Sequence, residues 1–177
     1  MLSEEEIRKE TVLTLVKQMA IAARTAPKAR GVDLLEIKII HETKEILTIA
    51  DEMKKMGEDN NLAFFLRDSE NIKKSVALLL IGTSISPLGL MNCNYCGMQN
   101  CENKNKYPTV PCVFNTNDLG IAIGSAVSVA ADSRLDTRVM FSLGRAVKNL
   151  SIFPENISVI LGIAVSVSGK NIFFDRK

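Results

Sequence analysis

The sequence predicts an α+β fold: a small sheet surrounded by helices, with a long cysteine-bearing loop. Three observations predict it. Apolar runs at 34–40, 76–81 and 159–167, the second of them continuous, have the length of buried strands, and segments of helical length and pattern lie between them. All four cysteines, Cys93, Cys96, Cys101 and Cys112, fall in one aperiodic stretch between the second and third runs. With 177 residues and 46% hydrophobic content, the chain suits a single domain, 1–177, whose core forms without help from metal or disulfides.

The elements follow in order. Ser3 before Glu4, Glu5 and Glu6 is a helix start, an N-cap with carboxylates on the positive end of the helix. Ile7, Val12, Leu15, Val16, Met19 and Ala23 continue it at helical spacing, and Pro27 ends it near Arg24 by pushing Ala26 out of the α region. A loop of small and basic residues runs to Gly31, and the apolar run from Leu34 to Ile40 is a strand. Thr43 to Met56 reads as a helix with Gly57 as its C-cap, and Asn61 to Lys74 as a weaker one. Val76 to Ile81, ending in Gly82, is the central strand.

Residues 83–117 hold three prolines, all four cysteines and little periodicity, and read as a functional insertion in the domain. Asp118 is the expected N-cap of a nearly all-apolar, buried helix from Leu119 to Ala131. An amphipathic helix from Thr137 to Asn149 and a strand over 159–167 complete the set, with Phe173 and Phe174 docking the tail. Asp132, Arg134, Asp136 and Arg138 form a charged joint between the last two helices.

Composition narrows the function. The 22 basic and 20 acidic residues leave a net charge of +2, which implies no single-sign surface for nucleic acid. Aromatic residues are 5% with no Trp, so base-stacking platforms are not expected. The acidic N-terminus has no apolar signal region, and charge, Ser or Gly breaks every apolar run before the roughly 18 residues a membrane span needs. A cytoplasmic location is expected, where clustered thiols serve ligation or redox work rather than structural disulfides.

The chemistry concentrates in C-x2-C-x4-C-x10-C. Four thiolates are the usual holders of an iron–sulfur cluster, and C-x2-C lets two sulfurs face one centre across a tight turn. Gly97, directly after Cys96, gives that turn its freedom, and the amides around it can hydrogen-bond sulfur and tune a cluster. The expected metal ligands are Cys93, Cys96, Cys101 and Cys112, and a [4Fe–4S] cluster is favoured over [2Fe–2S]. A structural zinc site also uses four thiolates and stays open as an alternative. Met91 and Met98 flank the cysteines and read as shields from water, whereas Lys104 and Lys106 read as solvated loop residues. His41, the only histidine, reads as a strand-end surface residue. No Walker, dinucleotide or nucleophile-elbow motif is present.

The cysteine segment, the Asn-Asp-Leu-Gly-Ile-Ala-Ile-Gly-Ser-Ala-Val helix and the final Ser-Val-Ser-Gly-Lys-Asn-Ile-Phe-Phe-Asp-Arg resemble an uncharacterised prokaryotic family described as containing a ferredoxin domain. The resemblance implies an iron–sulfur cluster. Ala22-Ala23-Arg24-Thr25-Ala26-Pro27 before an apolar strand, together with the element order, is similar to the FMN-dependent nitroreductase fold. That resemblance implies an intertwined homodimer around a buried helix, and FMN. Lys28 stands where that family has Ser, Arg30-Gly31-Val32 stands in place of its Asn-x-Gln-Pro-Trp, and its Arg-Arg-x-x-Arg cluster is not visible. Lys28 and Arg30 are then the residues left to meet a flavin phosphate.

The expected function is that of an iron–sulfur cluster-binding protein with an electron-transfer or redox role. It is an oxidoreductase if an enzyme, homodimeric, and served by a redox partner protein. The alternatives are a zinc-stabilised, non-catalytic partner-binding domain and a flavin-dependent oxidoreductase with an accessory cluster.

Overall fold

A computed structural model describes residues 1–174. Its elements are α1 (Glu4–Thr25), β1 (Leu35–Ile40), α2 (Thr43–Asp59), α3 (Ala63–Lys73), β2 (Ala77–Ser84), α4 (Cys101–Asn105), α5 (Val113–Asp132), β3 (Asp136–Met140), α6 (Phe141–Asn149) and β4 (Ile157–Ser166). The four strands form one antiparallel sheet in the order β1-β2-β4-β3.

The apolar runs behave as strands because both faces of the sheet are covered. Successive side chains of a strand point to opposite faces. Leu78 and Leu80 of β2 and Ile160 and Ala164 of β4 therefore join Ile49, Met53, Phe65 and Ile72 of α2 and α3, and Leu143 and Val147 of α6. Ala77, Leu79, Ile81, Ile163 and Val165 join Val16, Met19 and Ala23 of α1, and Leu119, Ala122 and Ala126 of α5, on the other side. Two cores thus sandwich the β2–β4 pair, whose register places Leu80 opposite Gly162.

The helices begin as their ends dictate. Ser3 and Glu6 form a full capping box at the start of α1, with the Glu6 amide donating to Ser3 Oγ at 3.2 Å and the Ser3 amide donating to Glu6 Oε2 at 2.8 Å. Gly57 is not a C-cap. It is buried inside α2, which runs on to Asp59, and its missing side chain makes room for Phe65 and Leu66 of α3.

Three segments differ from the sequence expectation. Residues 136–140, expected partly as the start of a helix, form the edge strand β3, and α6 begins only at Phe141. The irregular insertion spans less than 83–117, because β2 runs to Ser84 and α5 begins at Val113 with Cys112 as N-cap. Asp118 is consequently a buried residue within α5 rather than its cap.

The charged joint holds the tail. Arg138 Nη1 donates to the Phe173 carbonyl at 2.7 Å, and Asn171 donates to Asp136 at 2.8 Å. Phe173 is buried as expected, whereas Phe174 stays exposed, with the Arg138 guanidinium 5.4 Å from its ring centre. Behind them Asp68, 4% exposed, accepts from Ser142 Oγ at 2.6 Å and from Arg67 at 2.9 Å.

The α6 helix lies on β4 through Gly144, where an added Cβ would overlap the Ile160 carbonyl and press on Leu161. Gly144→Ala should therefore destabilise the fold by about 1–3 kcal/mol through overpacking, despite the gain in helix propensity. Urea unfolding followed by circular dichroism measures this.

Candidate metal centre

The excursion that carries the cysteines leaves the sheet at the end of β2 and returns at the first turn of α5. Its base is laced at three points. The Ser86 amide donates to Asn115 Oδ1 at 2.9 Å. Arg30 Nη1 donates to the Leu88 carbonyl at 2.6 Å. The Ala29 amide donates to both carboxylate oxygens of Asp118 at 3.1 Å. Asn115 and Asp118, one turn apart on α5, thereby hold two separate loops with buried polar side chains 1% and 5% exposed.

Within the excursion, the Gly97 amide donates to the Asn94 carbonyl at 2.8 Å, closing the Cys93–Cys96 turn. Gly97 has φ +79°, a left-handed conformation that glycine adopts without strain. The Tyr95 ring, between the two cysteines, stacks on Phe114 at 6.0 Å with an interplanar angle of 27°. That contact brings the turn to the start of α5, where Cys112 sits as N-cap. Cys101 opens α4 after Asn100, whose side chain accepts from the Asn103 amide at 2.8 Å.

All four thiols are free; Cys112 is buried and the other three are half-buried. Cys112 makes no side-chain capping hydrogen bond, although Ser, Thr, Asp or Asn is preferred at such a position for that bond. Four thiolates around one tetrahedral ion close to about 3.8 Å of one another. Among the described residues, no three Cys, His, Asp or Glu side chains are grouped closely enough to hold one metal ion. The donors share a segment and an end of α5 without being gathered round one point.

Two side chains of this region depart from what a solvated loop would show. Asn115 Nδ2 is buried and has no acceptor. Its amide cannot turn over, because the Ser86 N–H needs an oxygen opposite it. A buried donor left without an acceptor costs about 1–3 kcal/mol. Lys104 is 2% exposed, the one buried side chain in residues 89–111, and no ion pair or hydrogen bond of its ammonium occurs among the described residues. The expectation of a solvated Lys104 is thus overturned by its packing, whereas Lys106 is exposed. Met91 is 93% exposed and shields nothing, while Met98 is half-buried.

The two cations expected at a flavin phosphate are engaged otherwise. Lys28 Nζ donates to the carbonyls of Ala23, Arg24 and Ala26 at 3.0, 2.5 and 2.8 Å, which caps the C-terminus of α1. Arg30, with φ +57°, spends one guanidinium nitrogen on the excursion. Lys28 is thus committed to carbonyls of its own chain, whereas Arg30 commits one of its guanidinium nitrogens. Asp33 lies beside them. Burial pushes its carboxyl up, but hydrogen bonds from Arg24 and the Leu35 amide outweigh this and hold it below the usual range.

His41 follows β1 at the end of the sheet opposite the excursion. The Ile40–Leu78 and Leu35–Thr83 pairings separate these two ends of β2. His41 is about half exposed, 3.4 Å from Glu42, and lines a cleft of about 390 Å³ with Lys9, Thr43 and Lys73.

Sequence reading found the four thiols and the Gly97 turn but missed Lys104 and Asn115. The available signal was the spacing Cys101-x-x-Lys104 and Cys112-x-x-Asn115, each one helical turn.

Comparison with known proteins identifies the fold and the family. An uncharacterised protein of Archaeoglobus fulgidus is 37% identical over 183 residues, covering 99% of this chain and 97% of that protein. Among solved structures, a nitroreductase family protein of Clostridium novyi NT aligns with TM-score 0.61 at 16% identity, over 87% of this chain and 73% of its own. A BluB-like flavoprotein of Clostridium difficile 630 aligns with TM-score 0.60 at 16% identity, over 100% and 86%. At these identities the likeness is one of fold, and the fold is nitroreductase-like. Residues 109–176, which include Cys112, Asn115 and the tail, match the family described as "Uncharacterized protein containing a ferredoxin domain" (DUF2148), and the chain belongs to that family.

Proposed function

We propose that this protein binds an iron–sulfur cluster through Cys93, Cys96, Cys101 and Cys112 and serves in one-electron transfer. The observation that carries the proposal is the meeting of the cysteine excursion with the start of α5. There a free thiol replaces the usual capping oxygen and a buried amide donor lacks an acceptor. A ferredoxin-domain description and nitroreductase-fold neighbours both fit a redox role.

When bound, an iron–sulfur cluster supplies a one-electron couple. The chain's own parts do the rest. The Gly97 turn presents Cys93 and Cys96 as a pair, the Tyr95–Phe114 stack sets that pair against α5, and the Ser86–Asn115 tether fixes where the excursion starts. Met91, Tyr95 and Tyr107 are exposed around the thiols, at 93, 74 and 54%, and offer an apolar and aromatic rim on which a redox partner can dock. The homodimer belongs to the same reading. It is supported by the exposed small and apolar face of α5 at Gly120, Ile121 and Gly124.

Protein purified without air should be brown, with iron and acid-labile sulfide in matching amounts. Stoichiometric zinc without sulfide, or a yellow protein that releases flavin on heating, would overturn the proposal. Cys96→Ser should lose bound iron at least about tenfold, the lower end of what even an outer partner of a metal ligand is worth. Iron retained in full would remove Cys96 from the ligand set. Sedimentation equilibrium should show two chains per particle.

A further inference from the structure

The chain has seven phenylalanines, and the three that are exposed, Phe64, Phe141 and Phe174, lie round one spot. Phe64 and Phe141 both stand against the ring of buried Phe65, at 4.8 and 6.3 Å between centres. Phe174 lies under the Arg138 guanidinium, 5.4 Å from its ring centre. A single apolar side chain on a surface is ordinary. Three aromatic rings gathered from α3, α6 and the tail mark an interaction surface.

The spot is also charged. Asp68, buried beneath it, accepts from Ser142 Oγ at 2.6 Å, and the Arg138 guanidinium stands 3.9 Å away. Arg67 spends Nε and Nη2 on the same carboxylate, at 3.0 and 2.9 Å, which fixes its guanidinium and leaves Nη1 unspent. Arg145, one turn beyond Phe141, is exposed, and no ion pair or hydrogen bond of its side chain occurs among the described residues. Asp136, on the same face of β3 as Arg138, is bonded to Asn171, and Glu70 of α3 is taken by Lys73 at 2.8 Å. Three arginines therefore meet two carboxylates, one of them buried, and a positive charge is left over.

Aromatic rings beside arginines held in place are the composition of the energetic centre of a protein interface. We propose that this patch docks an acidic segment of a partner protein. Carboxylates of that segment meet Arg67, Arg138 and Arg145, and an apolar side chain between them covers Phe64 and Phe141. A second copy of this chain would bring the same excess of arginine against itself, which repels. None of these residues belongs to the cysteine excursion, so the surface is independent of the iron–sulfur reading.

The test presents the full chain to a displayed library of random peptides, then measures the recovered sequences as synthetic peptides by fluorescence anisotropy. They should combine Asp or Glu with Phe, Leu or Trp. Arg145→Glu and Phe141→Ser should each weaken their binding at least about tenfold. Raising salt from about 0.05 to about 0.5 M should weaken it in wild type as well. Lys17→Glu makes the same charge change at an exposed position of α1, across the sheet, and should stay within about twofold of wild type.

A library that yields no binder, peptides without carboxylates, or acidic peptides that bind Arg145→Glu as tightly as wild type would each overturn the proposal. A particle that falls from two chains to one on Arg145→Glu would assign the patch to a second copy and overturn the acidic partner. Should Phe141→Ser fail to fold, Arg145→Glu carries the test, because its side chain is exposed and holds no other element in place. Circular dichroism checks that both variants fold.

Discussion

A strand buried on both faces cannot stand without helices on both sides, and the β2–β4 pair is such a structure. Leu78 and Leu80 look one way, and Leu79 and Ile81 the other; all four are 0% exposed. That requirement places α1 and α5 on one face and α2, α3 and α6 on the other. It also fixes the ends of β2, and so the point from which the cysteine excursion must depart. Everything at the candidate centre is referred to a sheet whose position the excursion does nothing to determine.

The excursion is tied down by α5 in a way that departs from ordinary helix design. The first two turns of a helix usually spend their polar side chains on their own unpaired amides. Here Asn115 and Asp118 reach outward instead, to Ser86 and Ala29. The start of α5 is left with a thiol at its cap and an amide donor unspent. The positive end of a 20-residue helix favours an anion.

What could be read from the sequence follows from what local pattern encodes. The β2 run was legible because burial on both faces leaves no polar position to confuse it. β3 was not, because Asp136-Thr137-Arg138-Val139 is the polar edge of the sheet and runs directly into α6 without a turn residue. The true start of α5 was hidden by Asn115 and Asn117, weak helix formers, of which Asn115 is buried for the benefit of another loop. The thiols announced themselves by spacing. Lys104 did not, because Glu-Asn-Lys-Asn-Lys is locally a solvated sequence and only tertiary packing buries it. Lys28 likewise has the sequence setting of a phosphate partner, whereas its ammonium caps the C-terminus of α1.

The Ser86–Asn115 bond carries one more implication, for chain entropy. It pins both ends of the cysteine segment to one spot, so the polypeptide has already met the conformational cost of bringing those ends together. Only the internal spans between the cysteines are left to order. The segment can then rearrange as a small closed ring mounted on a rigid frame, and the sandwich of helices and sheet need not open for it.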